Sequence, residues 1–128
     1  FAAPSLGERE LAVMHVLWAE GDLSAQQVLE RLDVTDLSVN TIWTTLERLT
    51  RKGLLERTRR ARTHFYAPLM DRKTLIGLLL RDIGEEIAGG DLAPMVSGFV
   101  DYLGADPRAE SEFRRLFPVG DRSDGGDA

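Results

Sequence analysis

Residues 38–68 read SVNTIWTTLERLTRKGLLERTRRARTHFYAP, and this stretch determines the predicted architecture of the chain. Its first half has the apolar spacing of an amphipathic helix, whereas its second half has the Thr, Leu, Phe and Tyr content of two short strands. Gly53 separates the halves, at the position after a helix end where a left-handed backbone costs little. The stretch therefore predicts a helix followed by a hairpin, with strands at residues 54–58 and 63–67.

Positive charge is concentrated in the same stretch. Residues 38–66 contain seven cationic and two acidic side chains, whereas the whole chain has a formal net charge of −5. A basic face on an acidic protein indicates where a polyanion would bind. The sequence therefore predicts double-stranded DNA as a partner, read by the helix and held by a basic wing. The seven cations are Arg48, Arg51, Lys52, Arg57, Arg59, Arg60 and Arg62.

The predicted helix has an apolar and a polar side. Residues placed 100° apart put Val39, Ile42, Leu46 and Leu49 together on the side expected to face the core. Trp43 falls between the two sides, and both packing at the rim of the core and contact with a thymine methyl or a sugar stay open. Polar residue types of the opposite side can donate to phosphates and reach base edges in a major groove. The candidate DNA contacts of the helix are Ser38, whose hydroxyl can also cap it, with Asn40, Thr41, Trp43, Thr44, Arg48, Arg51 and Lys52.

The predicted hairpin ends in a strongly basic tip. Between the strands lies the run Arg59-Arg60-Ala61-Arg62, which contains three arginines and no acidic residue. Hairpin tips are exposed, and exposed arginines can straddle phosphates or enter a minor groove. We therefore include Arg59, Arg60 and Arg62 among the candidate DNA contacts. Phe65 and Tyr66 alternate along the second strand, so one ring should pack under the wing while the other faces outward.

Two shorter helices are predicted before residue 38. The first covers about residues 7–18, and Gly21 is expected to end it. Ser24 opens the second helix, where Gln27 three residues later completes a capping box. A short helix, a tight connection and a longer helix are the layout of a helix-turn-helix. The expected core positions of these two helices are Leu11, Met14, Leu17, Trp18, Val28, Leu29 and Leu32.

Three further amphipathic helices are predicted after residue 70. Asp71 caps the first, Pro94 lies in the first turn of the second, and Asp106 precedes the third. Their apolar stripes are wider than a small winged domain needs, which favours a subunit interface and a two-fold homodimer. The alternative is a C-terminal extension that packs on its own domain. The predicted interface residues are Leu75, Leu79, Ile83, Ile87, Val96, Phe99, Val100, Leu103, Phe113 and Leu116.

The composition argues against several other classes of protein. The chain has no cysteine and two histidines, and no cluster is spaced like metal ligands, so neither a metal nor another cofactor is expected. No nucleophile motif or Gly-rich phosphate loop appears, so an enzyme is not expected. No apolar run approaches the ~18 residues of a membrane span, and the start FAAPSLGE lacks the features of a secretion signal. We expect a cytoplasmic protein in which residues 118–128 form a disordered tail.

Three segments carry a resemblance to a known family. They are LGERELAVMHVLW at residues 6–18, TIWTTLERLTRKGLLERTRRARTHFYAPL at residues 41–69, and GFVDYL at residues 98–103. In order and spacing the chain resembles the penicillinase-repressor family of bacterial transcriptional regulators, the BlaI/MecI type. The resemblance implies a mainly α fold with a small β-hairpin wing. It implies a winged helix-turn-helix DNA-binding domain at residues 6–69 and a three-helix dimerisation domain at residues 70–117.

The resemblance also implies a function and its site residues. Such a dimer sits on an inverted repeat in a promoter and blocks transcription of resistance or stress genes. Position by position, the recognition-helix contacts fall on Asn40, Thr41, Trp43, Thr44 and Arg48, and the helix-end and wing contacts fall on Arg51, Lys52, Arg60 and Arg62.

Release in the resistance regulators is proteolytic. A membrane sensor protease responds to a β-lactam, and the repressor is then cut at an Asn–Phe bond in its dimerisation domain. By position this bond corresponds to Gly98–Phe99, so the Phe is kept and the Asn is replaced.

A different reading of the basic surface is a protein-interaction module. In that case the wing would dock an acidic protein partner, and DNA binding would be weak and blind to sequence. Arg60 and Arg62 would then be needed for a protein complex rather than for promoter occupancy.

Overall fold

The computed structural model of the protein describes residues 4–118 and divides them into two units, which meet between Leu80 and Arg81. The predicted tail, apart from Pro118, lies outside the described residues. The first unit contains three helices, a three-stranded antiparallel sheet and most of a fourth helix. Its elements are α1 Glu8–Glu20, β1 Leu23–Ser24, α2 Ala25–Leu32, α3 Val39–Arg51, β2 Leu55–Arg60, β3 Thr63–Pro68 and α4 Arg72–Asp82.

Local sequence signals fix the ends of these helices as predicted. The Gln27 backbone N–H donates to Ser24 Oγ at 3.3 Å, and the Ser24 N–H donates to Gln27 Oε1 at 2.9 Å, which forms the capping box of α2. Gly53 follows α3 with φ +82°, a conformation that strains residues with a side chain. Its left-handed backbone turns the chain from α3 into the hairpin.

The core of the first unit lies between α1, α2, α3 and the sheet. Met14, Leu17, Val28 and Ile42 are among its fully buried side chains, and Tyr66 is the largest of them. Trp18 packs against this cluster and donates its Nε1–H to the carbonyl oxygen of Met70 at 2.9 Å, the buried-indole arrangement that its apolar position favours. The remaining buried apolar residues are Val13, Leu23, Leu46, Leu49, Leu54, Leu55 and Leu75.

Two predicted core positions are wrong, and both errors have the same cause. Leu11 is 39% exposed and Val39 is 40% exposed. The buried stripe of α1 instead comprises Glu10, Val13, Met14 and Leu17, and that of α3 comprises Ile42, Thr45, Leu46 and Leu49. Each stripe has the spacing i, i+3, i+4, i+7, and each includes one polar residue. Hydrophobicity alone therefore misplaced one position in each helix.

The wing is longer than predicted and belongs to a larger sheet. The strand order is β1-β3-β2, with Leu23 of β1 paired to Tyr66 of β3. Strand β1 has only two residues, too few to produce an alternating pattern, and it was not predicted. Strand β2 runs on to Arg60, so the turn consists of Ala61 and Arg62 alone. The predicted tip of four residues is therefore wrong, because Arg59 and Arg60 pair with β3.

The second unit begins near the end of α4 and contains the last two predicted helices. The helix that begins as α4 continues as a π-helical segment at Ile83–Ile87, and α5 Leu92–Ala105 and α6 Pro107–Leu116 follow. The side chain of Asp91 accepts from the Ala93 N–H, and that of Asp106 accepts from the Arg108 N–H, so each caps the helix after it. The expected mainly helical fold with a small winged sheet is confirmed. No helix within residues 4–118 is long and apolar enough to cross a membrane.

Candidate nucleic-acid interface

Helix α3 presents its polar face to solvent, as predicted. Ser38 caps the helix, because its Oγ accepts from the Thr41 N–H at 3.2 Å and lies 3.0 Å from Thr41 Oγ1. Thr41 is half-buried. The other predicted contacts of this helix are exposed: Asn40, Trp43, Thr44, Arg48 and Arg51.

Two exposed residues in the middle of α3 are suited to base contact. Thr44 Oγ1 donates to the carbonyl oxygen of Asn40 at 3.0 Å, so its hydroxyl hydrogen is used inside the helix. What Thr44 offers a partner is its methyl group and its oxygen lone pairs, which fit a thymine methyl or an amino group in the major groove. Trp43 is 46% exposed, so much of its ring is available for contact.

A carboxylate joins α3 to the wing. Arg57 Nη1 of β2 donates to Glu47 Oε1 at 2.8 Å, and the Tyr66 hydroxyl of β3 donates to Glu47 Oε2 at 2.6 Å. Burial raises the pKa of Glu47, but the hydrogen bonds from Tyr66 and Arg57 outweigh it, so the net pKa is lowered. Burial, together with the bond to Glu47, raises the pKa of Tyr66 far above its usual value. The carboxylate therefore stays ionised and the phenol neutral, which keeps these bonds charge-assisted.

The pairing of the strands fixes which arginines lie on the side of α3. Side chains alternate between the faces of a strand, and directly paired residues share a face. Arg57 pairs with Tyr66, and Arg59 pairs with His64, so these four residues lie on one face of the sheet. Arg57 and Tyr66 both contact Glu47 of α3, so this face is turned toward α3. Arg59 therefore lies beside the helix that is predicted to read bases.

Arg60 lies on the opposite face and is already engaged. Its Nη2 is 2.9 Å from Asp22 Oδ2, and its guanidinium carbon lies 4.0 Å from the centre of the Phe65 ring. Such stacking and pairing hold an arginine in one orientation. The expectation that no acid neutralises the arginines of the wing is wrong for Arg60, because Asp22 comes from the loop before β1. Of the two alternating aromatic residues, Tyr66 is buried and Phe65 is the more exposed, as predicted.

Lys52, a predicted DNA contact, is held by the protein itself. Its Nζ donates to Glu10 Oε1 at 2.8 Å, to Glu10 Oε2 at 3.0 Å and to the carbonyl oxygen of Ser5 at 2.8 Å. Burial raises the pKa of Glu10, but hydrogen bonds from Lys52 and the Gly7 N–H outweigh it, so the net pKa is lowered. With its three donors occupied, Lys52 ties the end of α3 to the start of α1.

Four cations of the stretch stay available for phosphate. Within residues 4–118, no ion pair forms at Arg48, Arg51, Arg59 or Arg62, and all four are exposed. The structure thus divides the seven predicted cations into four arginines without an ion pair among the described residues and three cations that are paired with a carboxylate of the same chain. An exposed polar helix face beside free arginines can bind phosphates and read base edges of a duplex.

The acidic residues and the tyrosine that hold the paired cations of this surface were not predicted from the sequence. Glu10, Asp22 and Glu47 each neutralise one cation, and Tyr66 supports Glu47. The ion pairs join positions 10 to 42 residues apart, so no local spacing could have revealed them.

Of the ten predicted dimer residues, seven are exposed, two are half-buried and one is buried. Leu75 is only 4% exposed and belongs to the core of the first unit. Leu103 and Phe113 are half-buried, and the Phe113 ring packs edge-on against Phe99 with centres 6.1 Å apart. Exposed apolar residues are Leu79, Ile83, Ile87, Val96, Phe99, Val100 and Leu116. The bond between Gly98 and Phe99 lies in the middle of α5.

Comparison with known proteins agrees with this geometry. A family model described as penicillinase repressor matches residues 6–117. The transcriptional regulator BlaI of Mycobacterium tuberculosis strain H37Rv is 36% identical over 104 residues, which cover 79% of this chain and 75% of that protein. The penicillinase repressor of Bacillus licheniformis is 30% identical over 117 residues, which cover 91% of this chain and 89% of that protein.

Two solved structures are similar to part of the chain. One is a solution structure of the DNA-binding domain of the repressor BlaI, with 33% identity, a TM-score of 0.49 and coverage of 56% of this chain and 89% of that one. The other is the monomeric form of Bacillus licheniformis BlaI in complex with the blaP half-operator, with 32% identity, a TM-score of 0.48 and the same coverage of 56% and 89%.

The family match covers nearly all the residues that the structure describes, and the two relatives span most of the chain. Both relatives are regulators of transcription by name, and neither is an enzyme. The chain belongs to the penicillinase repressor family and is a DNA-binding transcriptional repressor, not an enzyme.

Proposed function

We propose that the protein acts in the cytoplasm as a homodimer that binds an inverted-repeat operator and blocks transcription from the promoter that contains it. This proposal rests on the positions of the four arginines that form no ion pair within the described residues. Arg48 and Arg51 lie on α3, and Arg59 and Arg62 lie on the wing, beside an exposed polar helix face. The arginines would hold the backbone while α3 reads bases in the major groove.

The exposed apolar residues of the C-terminal helices support the dimer. Val96, Phe99 and Val100 of α5 are 59%, 47% and 56% exposed, and they follow one another at helical spacing. Apolar surface of this kind is stabilised by burial at a subunit interface. A two-fold dimer would present two copies of α3, and half-sites about one helical turn apart would match them.

The test is a mobility-shift titration against the DNA upstream of the protein's own gene and its neighbours. Once a site is found, three variants of it separate the parts of the proposal: a single half-site, the same half-sites as a direct repeat, and the inverted repeat with about five base pairs inserted, half a helical turn. We expect tight binding to the intact inverted repeat alone. Equal affinity for random DNA would contradict sequence-specific repression.

Base reading by α3 has its own test. Thr44→Ala should weaken binding to the operator by about 1–3 kcal/mol and leave random DNA unaffected, because Thr44 offers a methyl and an acceptor to a base. Thr58→Ala is the matched control, since Thr58 is exposed on the face of β2 that points away from α3. Equal losses on operator and random DNA would remove Thr44 from base recognition.

For the target and its release, we propose a resistance or stress gene and a membrane sensor protease that cuts between Gly98 and Phe99. This bond lies within α5, and a protease cleft takes extended chain, so the helix would have to open first. A glycine inside a helix lowers its stability by about 1 kcal/mol relative to alanine, which assists such opening. Co-expression with a sensor protease encoded nearby should yield a fragment ending at Gly98, and Gly98→Ala should slow its appearance. A fragment with another end would place the cut elsewhere.

A further inference from the structure

One titratable side chain lies on the DNA-facing surface without a role in the function proposed above. His64 of β3 is paired directly with Arg59 of β2. Both lie on the sheet face that is turned toward α3, where Arg57 and Tyr66 contact Glu47. His64 is half-buried, and no hydrogen bond or ion pair to it occurs within residues 4–118. Its imidazole therefore has free nitrogens next to an arginine that is available for phosphate.

The charges around His64 oppose each other. Two other cations, Arg57 and Arg59, lie on the same face of the wing. The Glu47 carboxylate of α3, whose pKa is lowered partly by His64, already accepts two hydrogen bonds from Arg57 and one from Tyr66. In free protein the imidazolium thus lacks a dedicated counter-ion. A phosphate placed between His64 and Arg59 would supply one.

We propose that His64, in its imidazolium form, binds the same stretch of phosphate backbone as Arg59, so that the protein takes up a proton when it binds DNA. This inference rests on the proposed function, because it needs the wing to lie against a duplex. Histidine is the side chain that changes charge near neutral pH, and backbone phosphates do not titrate there. Binding should therefore tighten as the pH falls from 8 to 6.

The salt dependence of DNA binding distinguishes a phosphate contact of His64 from a purely structural role, because a structural role would not change the salt slope. Each phosphate neutralised by a cation adds about 0.9 to the slope of log K against log salt concentration. For wild-type protein, we expect this slope to be steeper at pH 6 than at pH 8 by up to about 0.9 per protomer. With His64→Gln, the two slopes should coincide, at the value of the wild type at pH 8.

The chain provides a matched control, since it contains only two histidines. His15 is exposed on α1, and its ring packs edge-on against Trp18 with centres 5.6 Å apart. His15→Gln should keep the full change of slope between pH 6 and pH 8. His64→Arg should show the steep slope at both pH values, because its charge does not titrate, and this variant also guards against a fold defect in His64→Gln.

The inference is overturned if the wild-type slope is the same at both pH values, or if His64→Gln retains the change. A His15→Gln variant that has lost the change of salt slope between pH 6 and pH 8 would overturn it as well. Failure of the proposed function looks different, because the wild type would then show no preference for its operator at either pH. Tight operator binding with a slope that does not depend on pH would contradict the role of His64 alone.

Discussion

Lys52 and Arg51 are neighbours in sequence but have different roles in the structure. Lys52 is bound to Glu10, whose side chain is only 8% exposed, whereas Arg51 is exposed and has no ion pair within the described residues. Removing Lys52 would leave a buried carboxylate without its partner. A hydrogen bond to a charged group contributes about 1.5–3 kcal/mol, so Lys52→Met should lower the free energy of unfolding by that amount. Denaturant unfolding followed by circular dichroism measures this change.

Arg51→Met is the matched variant for the same question. It should change the free energy of unfolding little and make the salt dependence of DNA binding shallower by about 0.9 per protomer, because it removes a phosphate contact. Lys52→Met should leave the salt slope nearly unchanged. If Lys52→Met instead kept its stability and made the salt dependence of DNA binding shallower, Lys52 would be a DNA contact after all.

Single residues show where prediction from sequence succeeds. The caps formed by Ser24 and Ser38 were predicted, because a cap and its helix lie within a few residues of each other. The burial of Glu10 and its bond to Lys52 could not be predicted, because a charge in an apolar stripe is explained only by a partner 42 residues away. The free and paired cations therefore look alike in sequence.

Among the elements, α3 and the wing are joined through Glu47. The hydroxyl of Tyr66, a residue that is fully buried, donates to this carboxylate at 2.6 Å. Tyr66→Phe keeps the ring and removes the bond, so it should destabilise the protein by about 1.5–3 kcal/mol at neutral pH. The pKa of Glu47 is lowered in the folded protein, so its contribution is present above the ordinary value of 4.5 and is lost as the pH falls below it.

The pH dependence gives this prediction a second measurement. The difference in unfolding free energy between Tyr66→Phe and wild type should be full above about pH 5 and should shrink as the pH falls below 4.5 and through the lowered pKa of Glu47 in the folded protein. Chemical unfolding at a series of pH values tests it. A difference that stays constant across this range would mean that Tyr66 stabilises the fold through packing rather than through Glu47.

The turn of the wing can be improved without touching its charges. Ala61 and Arg62 have φ angles of +49° and +71°, the left-handed pair typical of a two-residue hairpin turn. Asparagine adopts this conformation more readily than alanine, so Ala61→Asn should raise the free energy of unfolding by about 0.5–1 kcal/mol. Thermal unfolding measures the gain, and a loss of stability would contradict the geometry of the turn.

The helices and strands also show which elements can be predicted from the sequence pattern. Helices α1 to α3 and both hairpin strands were predicted, since each has its own periodicity and its own terminal signals. Strand β1 consists of Leu23 and Ser24 alone and depends on backbone pairing to Tyr66 and Phe65. A strand this short forms only through pairing with its neighbour, so its own sequence does not predict it.

At the scale of the whole molecule, α5 provides a direct test of the dimer. Val100 is 56% exposed and apolar, so a charge at this position would be buried without a partner in a dimer interface. Val100→Asp should shift the monomer–dimer equilibrium toward monomer by a factor of ten or more, about 1.4 kcal/mol, and should weaken operator binding accordingly. Sedimentation velocity over a range of concentrations measures the shift.

Leu69→Asp serves as the control for this variant, because Leu69 is 59% exposed but belongs to the first unit. It should leave the dimer unaffected. A sedimentation profile that Val100→Asp does not change at any dilution would place the subunit contact elsewhere. The apolar stripes of α4 and α5 were predicted from the sequence, but the burial of Leu75 was not. The beginning of α4 packs in the core of the first unit, whereas the apolar residues further along the same helix are exposed.

The three internal ion pairs have a consequence for how the repressor finds its operator. With Lys52, Arg57 and Arg60 each paired with a carboxylate of the same chain, the chain keeps four arginines on this surface that form no ion pair within the described residues. Attraction to unrelated DNA grows with the number of phosphates neutralised, so an acidic protein with few free cations dissociates quickly from wrong sites. We expect short sliding runs and frequent hops along the chromosome, with residence time set by base contacts at the operator. Lys52 and the two arginines Arg57 and Arg60 each face a carboxylate of the same chain, which lowers the net positive charge that this surface offers to unrelated DNA.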